Sequence, residues 1–224
     1  MSKQTRGERG ELLVTSLLNE RKDYFKLLNN ITFINKTSEM SHQIDHIFIN
    51  KYGVFVLETK NYFGTIISDT NDSFWLRVIN TKKEKISNPI KQNKSHAVIV
   101  NRLLDKKYDV IPAVIFVRDN APYTGDENVI NLSDLNLFID SYPYKKLLSN
   151  KEIDEIANKI VKNSSTISSK EHVENISYLK QVKKEFVKEM EYAIETRRCP
   201  RCNSPILNSR NEYRCSKCDF KFKL

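Results

Sequence analysis

The stretch from Gln43 to Lys60 reads QIDHIFINKYGVFVLETK and decides the fold. It contains two runs rich in β-branched and aromatic residues, Gln43–Asn50 and Gly53–Lys60, which is the pattern of β-strands. Only Lys51 and Tyr52 separate the two runs, so a tight turn joins them. The sequence therefore predicts a β-hairpin, and the rest of the first domain is expected to form around it.

Charged residues end an apolar stripe on the second strand of this hairpin. Glu58 and Lys60 share one face of the strand, because alternate side chains point the same way. Asp45 on the neighbouring strand can reach the same rim, and Glu11 can approach it from a helix at the start of the chain. Carboxylates of this kind hold Mg²⁺ through oxygen, and a lysine beside them can orient a water or balance developing charge. The alternative interpretation is a salt-bridged cluster at a sheet edge.

Hydrophobic periodicity predicts further elements on both sides of the hairpin. They are a helix from Gly7 to about Arg21, a strand at Asn30–Asn35, a second hairpin of Gly64–Ser68 and Phe74–Asn80 with a turn at 69–73, a lysine-rich loop at Thr81–Asn88, a helix from Pro89 to about Leu104, and strands at Ile111–Val117 and Val129–Leu132. The resulting order, αβββαβ with a mixed central sheet, indicates an α/β fold. Small restriction-type nucleases use this order, as do other folds.

The rest of the chain indicates two smaller parts. A linker at 163–169 and a charged helix at 171–195, interpreted as a spacer, precede a cysteine-containing tail. We therefore expect a nuclease-like domain over residues 1–163, a linker and spacer helix over 164–196, and a small ribbon over 197–224.

Composition excludes several classes of protein. Of the 224 residues, 39% are hydrophobic and 29% are charged, which is globular rather than disordered or repetitive. No apolar run approaches the roughly 18 residues of a membrane helix. The start of the chain shows no hydrophobic segment after its charges, so we expect a cytoplasmic protein that has no signal peptide and does not contact membranes. The net charge of +9 is concentrated in residues 197–224, where eight basic and two acidic residues give +6.

The four cysteines form two CxxC pairs that predict a metal site. Cys199 and Cys202 are separated by twelve residues from Cys215 and Cys218, a spacing typical of four thiolates around one structural Zn²⁺. A disulfide pair is disfavoured in the cytoplasm, and a redox CxxC would not require two matched pairs. With a hairpin around 208–211, the tail is expected to be a zinc ribbon.

The tail resembles the short zinc-finger segments at the C-termini of bacterial type I topoisomerases, in its CPRC and RCSKC motifs and its terminal FKFK. The resemblance implies contact with DNA, with basic side chains on phosphates. Tyr213, Phe220 and Phe222 are either base-stacking residues or the packing of the ribbon. Contact with a protein partner is the alternative role of the ribbon.

Several motifs in order resemble the nuclease-related domain, a branch of the PD-(D/E)xK nuclease superfamily. They are GERGE at 7–11, QIDH at 43–46, GVFVLETKN at 53–61, Gly64, Trp75, and NPIKQ at 88–92. The resemblance implies that Asp45 and Glu58 are ligands of Mg²⁺ or Mn²⁺ and that Lys60 is the catalytic lysine. It also implies that Glu11 is an auxiliary acid and that Gln92 supports the site. Ile44 stands where many members of the superfamily have a proline.

We therefore expect a divalent-metal-dependent nuclease that hydrolyses phosphodiester bonds, with DNA as the expected substrate and a zinc ribbon that aids binding; the sequence itself does not distinguish DNA from RNA. The alternatives are a non-catalytic nucleic-acid-binding module and an adaptor that uses the ribbon for protein contact. Among the histidines, His46 is expected to pack on the face opposite Asp45. His42, His96 and His172 show no ligand spacing and are interpreted as structural or surface residues.

Overall fold

The computed structural model describes residues 5–34, 41–68, 72–122, 126–165, 169–209 and 212–223. The chain forms two compact units, the first reaching Ser169 and the second beginning at Lys170. Some predicted segments lie partly outside the described residues: the turn at 69–73, the linker at 163–169 and the ribbon turn at 208–211. Asn35, the last residue of the strand predicted at Asn30–Asn35, lies outside them as well.

The first unit alternates helices and strands. In chain order it contains α1 (Arg6–Asn19), β1 (Phe25–Ile34), β2 (Ser41–Asn50), β3 (Gly53–Lys60), β4 (Thr65–Ile67), β5 (Phe74–Ile79), β6 (Lys82–Ser87), α2 (Pro89–Leu103), β7 (Val110–Phe116), β8 (Val129–Asn131), α3 (Leu135–Ser141) and α4 (Asn150–Asn163). The central sheet has the order β1-β2-β3-β7-β8. Strands β1 to β3 pair antiparallel, whereas β3–β7 and β7–β8 pair parallel. The predicted α/β fold with a mixed central sheet is confirmed.

Helices cover both faces of the central sheet, and β3 is buried on both. Val54 and Val56 pack with residues of α2 and α4, while Phe55 and Leu57 pack with residues of α1 and α3. Burial on both faces explains why this strand is an almost unbroken apolar run in the sequence. Only its end, at Glu58 to Lys60, carries charge.

A second, three-stranded sheet, β4-β5-β6, is inserted between β3 and α2. The expectation of a loop at Thr81–Asn88 was wrong, because Lys82–Ser87 forms β6 and pairs antiparallel with β5. Asn80 has a φ of 53°, a conformation that asparagine tolerates and that permits the tight turn between the two strands. Three lysines give β6 little strand propensity of its own, so pairing with β5 decides its conformation.

Capping groups set the starts of α1 and α2. Thr5 and Glu8 form a reciprocal capping box at α1, which ends at Asn19 rather than near Arg21. Asn88 caps α2, and Pro89 occupies its first turn, as the sequence predicted.

The second unit consists of one long helix and a small sheet. It contains α5 (Ser169–Thr196), β9 (Ile206–Ser209), β10 (Glu212–Cys215) and β11 (Lys221–Lys223), with sheet order β11-β10-β9. The last turns of α5 contribute Phe186, Met190 and Ala193 to the apolar core of the ribbon. The end of this helix is therefore part of the ribbon's packing as well as a connection to it. Among the helices in the described part of the chain, none is long and apolar enough to cross a membrane.

Candidate active site and cysteine cluster

The candidate active site lies where β2 and β3 part. Their pairing extends from Asn50–Gly53 to His46–Leu57. Just beyond it, the Asp45 Oδ2 atom accepts a hydrogen bond of 2.8 Å from the backbone N–H of Thr59. A side-chain carboxylate thus replaces the backbone acceptor of the ladder. This holds the Asp45 carboxylate at the end of β3.

Glu58 is the centre of the site. It is 2% exposed, and its Oε1 atom accepts hydrogen bonds from Lys60 Nζ at 2.5 Å and from Gln92 Nε2 at 2.9 Å. Its Oε2 atom accepts no hydrogen bond from any residue that the structure describes, and lies 3.6 Å from His96 Nδ1. A buried carboxylate is therefore held firmly through one oxygen while the second has no hydrogen-bond donor. Such an oxygen is available to a cation.

The charges of the site oppose one another. Burial and the neighbouring Glu58 carboxylate raise the pKa of Asp45 well above its ordinary value. Burial raises the pKa of Glu11, and the negative charges of Glu8 and Glu58 raise it further. Burial lowers the pKa of Lys60, but Glu58, Tyr62 and Asp45 together outweigh this, so the pKa of Lys60 lies above its ordinary value. The lysine is therefore a cation, and the three acids attract further positive charge.

Close packing of α1 on β3 brings Glu11 to this place. A Cβ atom added to Gly10 would lie 2.9 Å from Asn61 Cβ and 3.2 Å from Thr59 Cγ2, so the helix can approach this closely because the residue is glycine. Four of the predicted residues line one open cavity of about 400 Å³: Glu11, Asp45, Glu58 and Lys60. Gln92 reaches Glu58 from α2. The structure thus brings together all five residues of the predicted catalytic site.

The site suits a hard divalent cation. Oxygen donors are the ligands of Mg²⁺ and Mn²⁺, and Mg²⁺ is commonly bound by one or two carboxylates while it keeps several waters. Asp45 and Glu58 provide two such carboxylates beside an open cavity, and the Oε2 atom without a donor fits this use. Within the described ranges, only the cysteines form a group of three or more metal-binding side chains whose ligand atoms all lie within 4.8 Å of one another.

Two histidines beside the site differ in role. His46 is buried, and its ring nitrogens lie 2.9 Å from Asn29 Oδ1 and 3.1 Å from Thr59 Oγ1. Burial lowers its pKa to about 4, so the imidazole is neutral and structural, as predicted. His96 was interpreted as structural or surface, but it lies beside Glu58. Its position four residues after Gln92 on one helix was the available signal. The side chain of His172 lies outside the described residues.

The cysteines form a cluster that fits one zinc ion. Sγ–Sγ distances are 3.5 Å for Cys199–Cys218, 3.4 Å for Cys202–Cys215 and 3.6 Å for Cys202–Cys218. A tetrahedron with Zn–S bonds of about 2.3 Å has edges of about 3.8 Å, whereas a disulfide needs about 2.05 Å. None of the four cysteines forms a disulfide. Hydrogen bonds from the backbone and side chain of Ser204 lower the pKa of Cys202 to about 6, whereas burial and the neighbouring thiols raise the pKa of Cys218 to about 12.

The aromatic residues of the ribbon form its core. Phe220 and Phe222 are buried, and Tyr213 stacks on Phe222 with ring centroids 4.8 Å apart. Of the two roles considered for these residues, the structure shows packing for both phenylalanines. Base stacking by these two side chains is therefore excluded in this fold.

Comparison with known proteins agrees with this geometry. The profile of the nuclease-related domain matches residues 6–117. The chain belongs to this family. It is also 31% identical over 164 residues to an uncharacterized protein of Bacillus anthracis, covering 70% of this chain and 76% of that protein. No solved structure matches the chain. The region that matches the family profile, residues 6–117, contains every residue of the candidate active site, whereas the cysteine cluster lies outside this region.

Proposed function

We propose that this member of the nuclease-related domain family is a divalent-metal-dependent nuclease that hydrolyses phosphodiester bonds in DNA. The observation that carries the proposal is the arrangement around Glu58, whose Oε1 atom is fixed by Lys60 and Gln92 while Oε2 accepts no hydrogen bond from the residues that the structure describes. A purely structural salt bridge would need only the contacts to Oε1, and it gives no reason for a buried Oε2 atom without a hydrogen bond. Asp45 and Glu11, which are half-buried and have raised pKa values, line the same open cavity, and this supports a functional site.

The protein's own residues divide the work. Asp45 and Glu58 would hold the ion, with the Thr59 N–H orienting Asp45 and Gln92 orienting Glu58. When bound, the ion polarises the phosphate and lowers the pKa of a bound water. Lys60, protonated in the resting site, provides positive charge where a pentavalent phosphate develops negative charge. Glu11 lines the same cavity and would serve as an auxiliary acid.

The direct test is cleavage of labelled linear, circular and single-stranded DNA, and of a matched RNA, by purified protein with and without Mg²⁺ or Mn²⁺. We expect cleavage only with the metal. Asp45→Asn and Glu58→Gln should lose about 10²–10⁴ in rate and should weaken metal binding, because metal catalysis contributes several kcal/mol. Lys60→Met should lose comparable rate while keeping metal affinity.

Asp105→Asn is the matched control, because Asp105 is an exposed acid paired with Lys159 away from the cavity. It should cleave at the wild-type rate. Nucleic-acid binding by the wild type without cleavage under any of these conditions would identify a non-catalytic binding module instead.

We propose that the second unit binds one structural zinc ion and aids nucleic-acid binding. Thiols at tetrahedral spacing support the metal, and the basic excess of residues 197–224 supports the nucleic acid. Four cysteines that serve as thiolate ligands must stay reduced, as they do in a reducing compartment, which supports the cytoplasm as the place of action. Elemental analysis of protein purified without added metal should find about one zinc per chain. Four free reduced thiols with no metal would contradict the assignment.

A further inference from the structure

Arg77 is a cationic residue of the cavity that the proposed mechanism does not use. It lies on β5 and lines the cavity together with Glu11, Asp45 and Lys60. Its guanidinium carbon lies 5.4 Å from the centroid of the Tyr62 ring, which holds the side chain in place. Its Nε atom is buried and donates no hydrogen bond to any residue that the structure describes. One buried donor of this half-buried cation is therefore unused.

The partner that Arg77 does have is easily displaced. Arg77 Nη2 pairs with Glu84, the residue directly opposite on β6. The Glu84 side chain is 58% exposed, whereas that of Arg77 is 19% exposed. An ion pair with one exposed partner contributes about 0–1 kcal/mol, and Glu84 can turn into water at little cost. The arginine would then remain in the cavity without its counter-ion.

The chemistry of the guanidinium group limits which ligands could replace the Glu84 carboxylate. The guanidinium presents a planar fork of N–H donors that matches the oxygens of a phosphate. Lys60 differs from Arg77 because the buried Glu58 carboxylate holds its ammonium group. A phosphodiester that enters the cavity would therefore meet Arg77 as a cation whose counter-ion faces solvent.

We propose that Arg77 is a phosphate-binding residue of the active site, which contacts the nucleic-acid backbone next to the bond to be cleaved. Glu84 occupies the arginine in the absence of nucleic acid and is displaced by the phosphate. The inference rests on the proposed function, because it assigns the same cavity to a nucleic-acid strand. It adds a substrate contact from the inserted sheet to a site otherwise built by the central sheet, α1 and α2.

The test is binding of a fluorescent single-stranded oligonucleotide to the full-length, zinc-containing protein, measured by anisotropy over a range of salt without added Mg²⁺. Arg77→Gln should weaken binding about tenfold at low salt. It should also lower the slope of log K against log salt by about 0.7, the effect of one lost contact on a single strand. Arg77→Lys should keep the slope and lose affinity, since it keeps the charge without the fork. Glu84→Gln should strengthen binding severalfold.

Two controls separate this effect from net charge. Lys83→Gln removes one positive charge from an exposed position on the same sheet, and Glu155→Gln removes one negative charge from an exposed position on α4. Both should change affinity less than the variants at Arg77 and Glu84. If the Arg77–Glu84 pair is only structural, Arg77→Gln and Glu84→Gln will lower the melting temperature by similar amounts. The two variants will then change the affinity for the oligonucleotide in the same direction or leave it unchanged, and this result would overturn the proposal.

The inference and the proposed function can fail separately. Binding that is insensitive to Arg77→Gln overturns the inference and leaves the nuclease proposal standing. If Arg77→Gln weakens binding and Glu84→Gln strengthens it, but no cleavage follows when Mg²⁺ is added, the role of Arg77 in phosphate binding is supported and the nuclease activity is contradicted. A wild-type protein that binds no oligonucleotide overturns both.

Discussion

Asp45 is held where its negative charge is unfavourable, because it is desolvated and lies beside the Glu58 carboxylate. The two acids line one cavity, and Glu58 Oε2 accepts no hydrogen bond from the residues that the structure describes. The ionised Asp45 carboxylate raises the free energy of the folded, metal-free protein, and binding of a divalent cation would lower it again. A functional site is expected to show this trade of stability for binding.

Asp45→Asn tests this at one residue. The pKa of Asp45 is raised on folding, so the folded protein retains a proton that the unfolded chain has released. Wild-type stability therefore falls as the pH rises from the ordinary carboxyl range through the raised pKa. Asparagine does not titrate and can still accept the Thr59 N–H bond. The variant should be more stable than wild type at pH 8, by on the order of 1 kcal/mol, and the difference should vanish toward pH 4.

Urea unfolding at several pH values, without divalent metal, measures the difference. Asp105→Asn, at an exposed position, should show no such trend. Adding Mg²⁺ should stabilise the wild type more than Asp45→Asn, whose metal binding is weakened. A variant that is less stable than wild type at pH 8 would mean that the carboxylate is a structural partner.

Some residues of the site could be predicted from the sequence because they stand out in a local sequence pattern. Glu58 and Lys60 interrupt an apolar strand two residues apart, which is visible without a structure. Arg77 and the role of His96 were missed, because each depends on how distant segments pack. Arg77 reaches the cavity only through the inserted sheet, and no local pattern states where that sheet lies.

At the scale of elements, the predictable ones are those whose own residues favour their conformation. Strands β2 and β3 have β-branched runs, and Asn88 and Pro89 mark the start of α2. Strand β6 was missed because its conformation depends on pairing with β5. The contribution of α5 to the ribbon was missed as well, although Phe186, Met190 and Ala193 share a helical face by their spacing of four and three.

The contact between α1 and β3 gives a prediction for two glycines of one helix. Both substitutions to alanine gain helix propensity, worth about 1 kcal/mol. At Gly7 the added Cβ would lie 3.8 Å or more from its neighbours, so we expect a stability gain of about 0.5–1 kcal/mol. At Gly10 the Cβ would overlap Asn61, and overpacking costs about 1–3 kcal/mol. Gly10→Ala should therefore destabilise.

Thermal unfolding of the two variants side by side tests whether Gly7→Ala raises the melting temperature while Gly10→Ala lowers it. The pair is matched, because both sites lie on α1 and receive the same methyl group. Equal stabilisation by both substitutions would show that α1 can move away from β3 freely. Glu11 would then not be held at the site by this packing.

At the scale of the whole molecule, charge and chemistry are divided between the two units. The candidate active site lies entirely in the first, whereas the cysteines and most of the net positive charge lie in the second. Part of that charge is already engaged, since Arg201 pairs with Glu189 of α5 and lies over the Phe220 ring. Arg214, Lys221 and Lys223 are exposed on β10 and β11 and remain available for phosphates.

These three exposed residues give the sharpest test of the ribbon's role. Deletion of residues 197–224 would also expose Phe186, Met190 and Ala193, so substitution in the full-length chain is the cleaner design. The triple variant Arg214→Gln, Lys221→Gln, Lys223→Gln keeps the cysteines and the aromatic core. If each residue contacts one phosphate, the slope of log K against log salt should fall by about 2.7 on duplex DNA. Zinc content should be unchanged, and cleavage at saturating DNA should persist, because no residue of the candidate active site is altered.

A charge-matched control is Lys145→Gln, Lys151→Gln, Lys162→Gln, three exposed lysines of the first unit. It should alter the slope much less, since the loss expected for the ribbon variant comes from specific phosphate contacts rather than from net charge. An unchanged slope in the ribbon variant would mean that this basic face does not contact nucleic acid. The ribbon, still folded around its metal, would then be assigned to contact with a protein partner, and binding of nucleic acid would rest on the first unit alone.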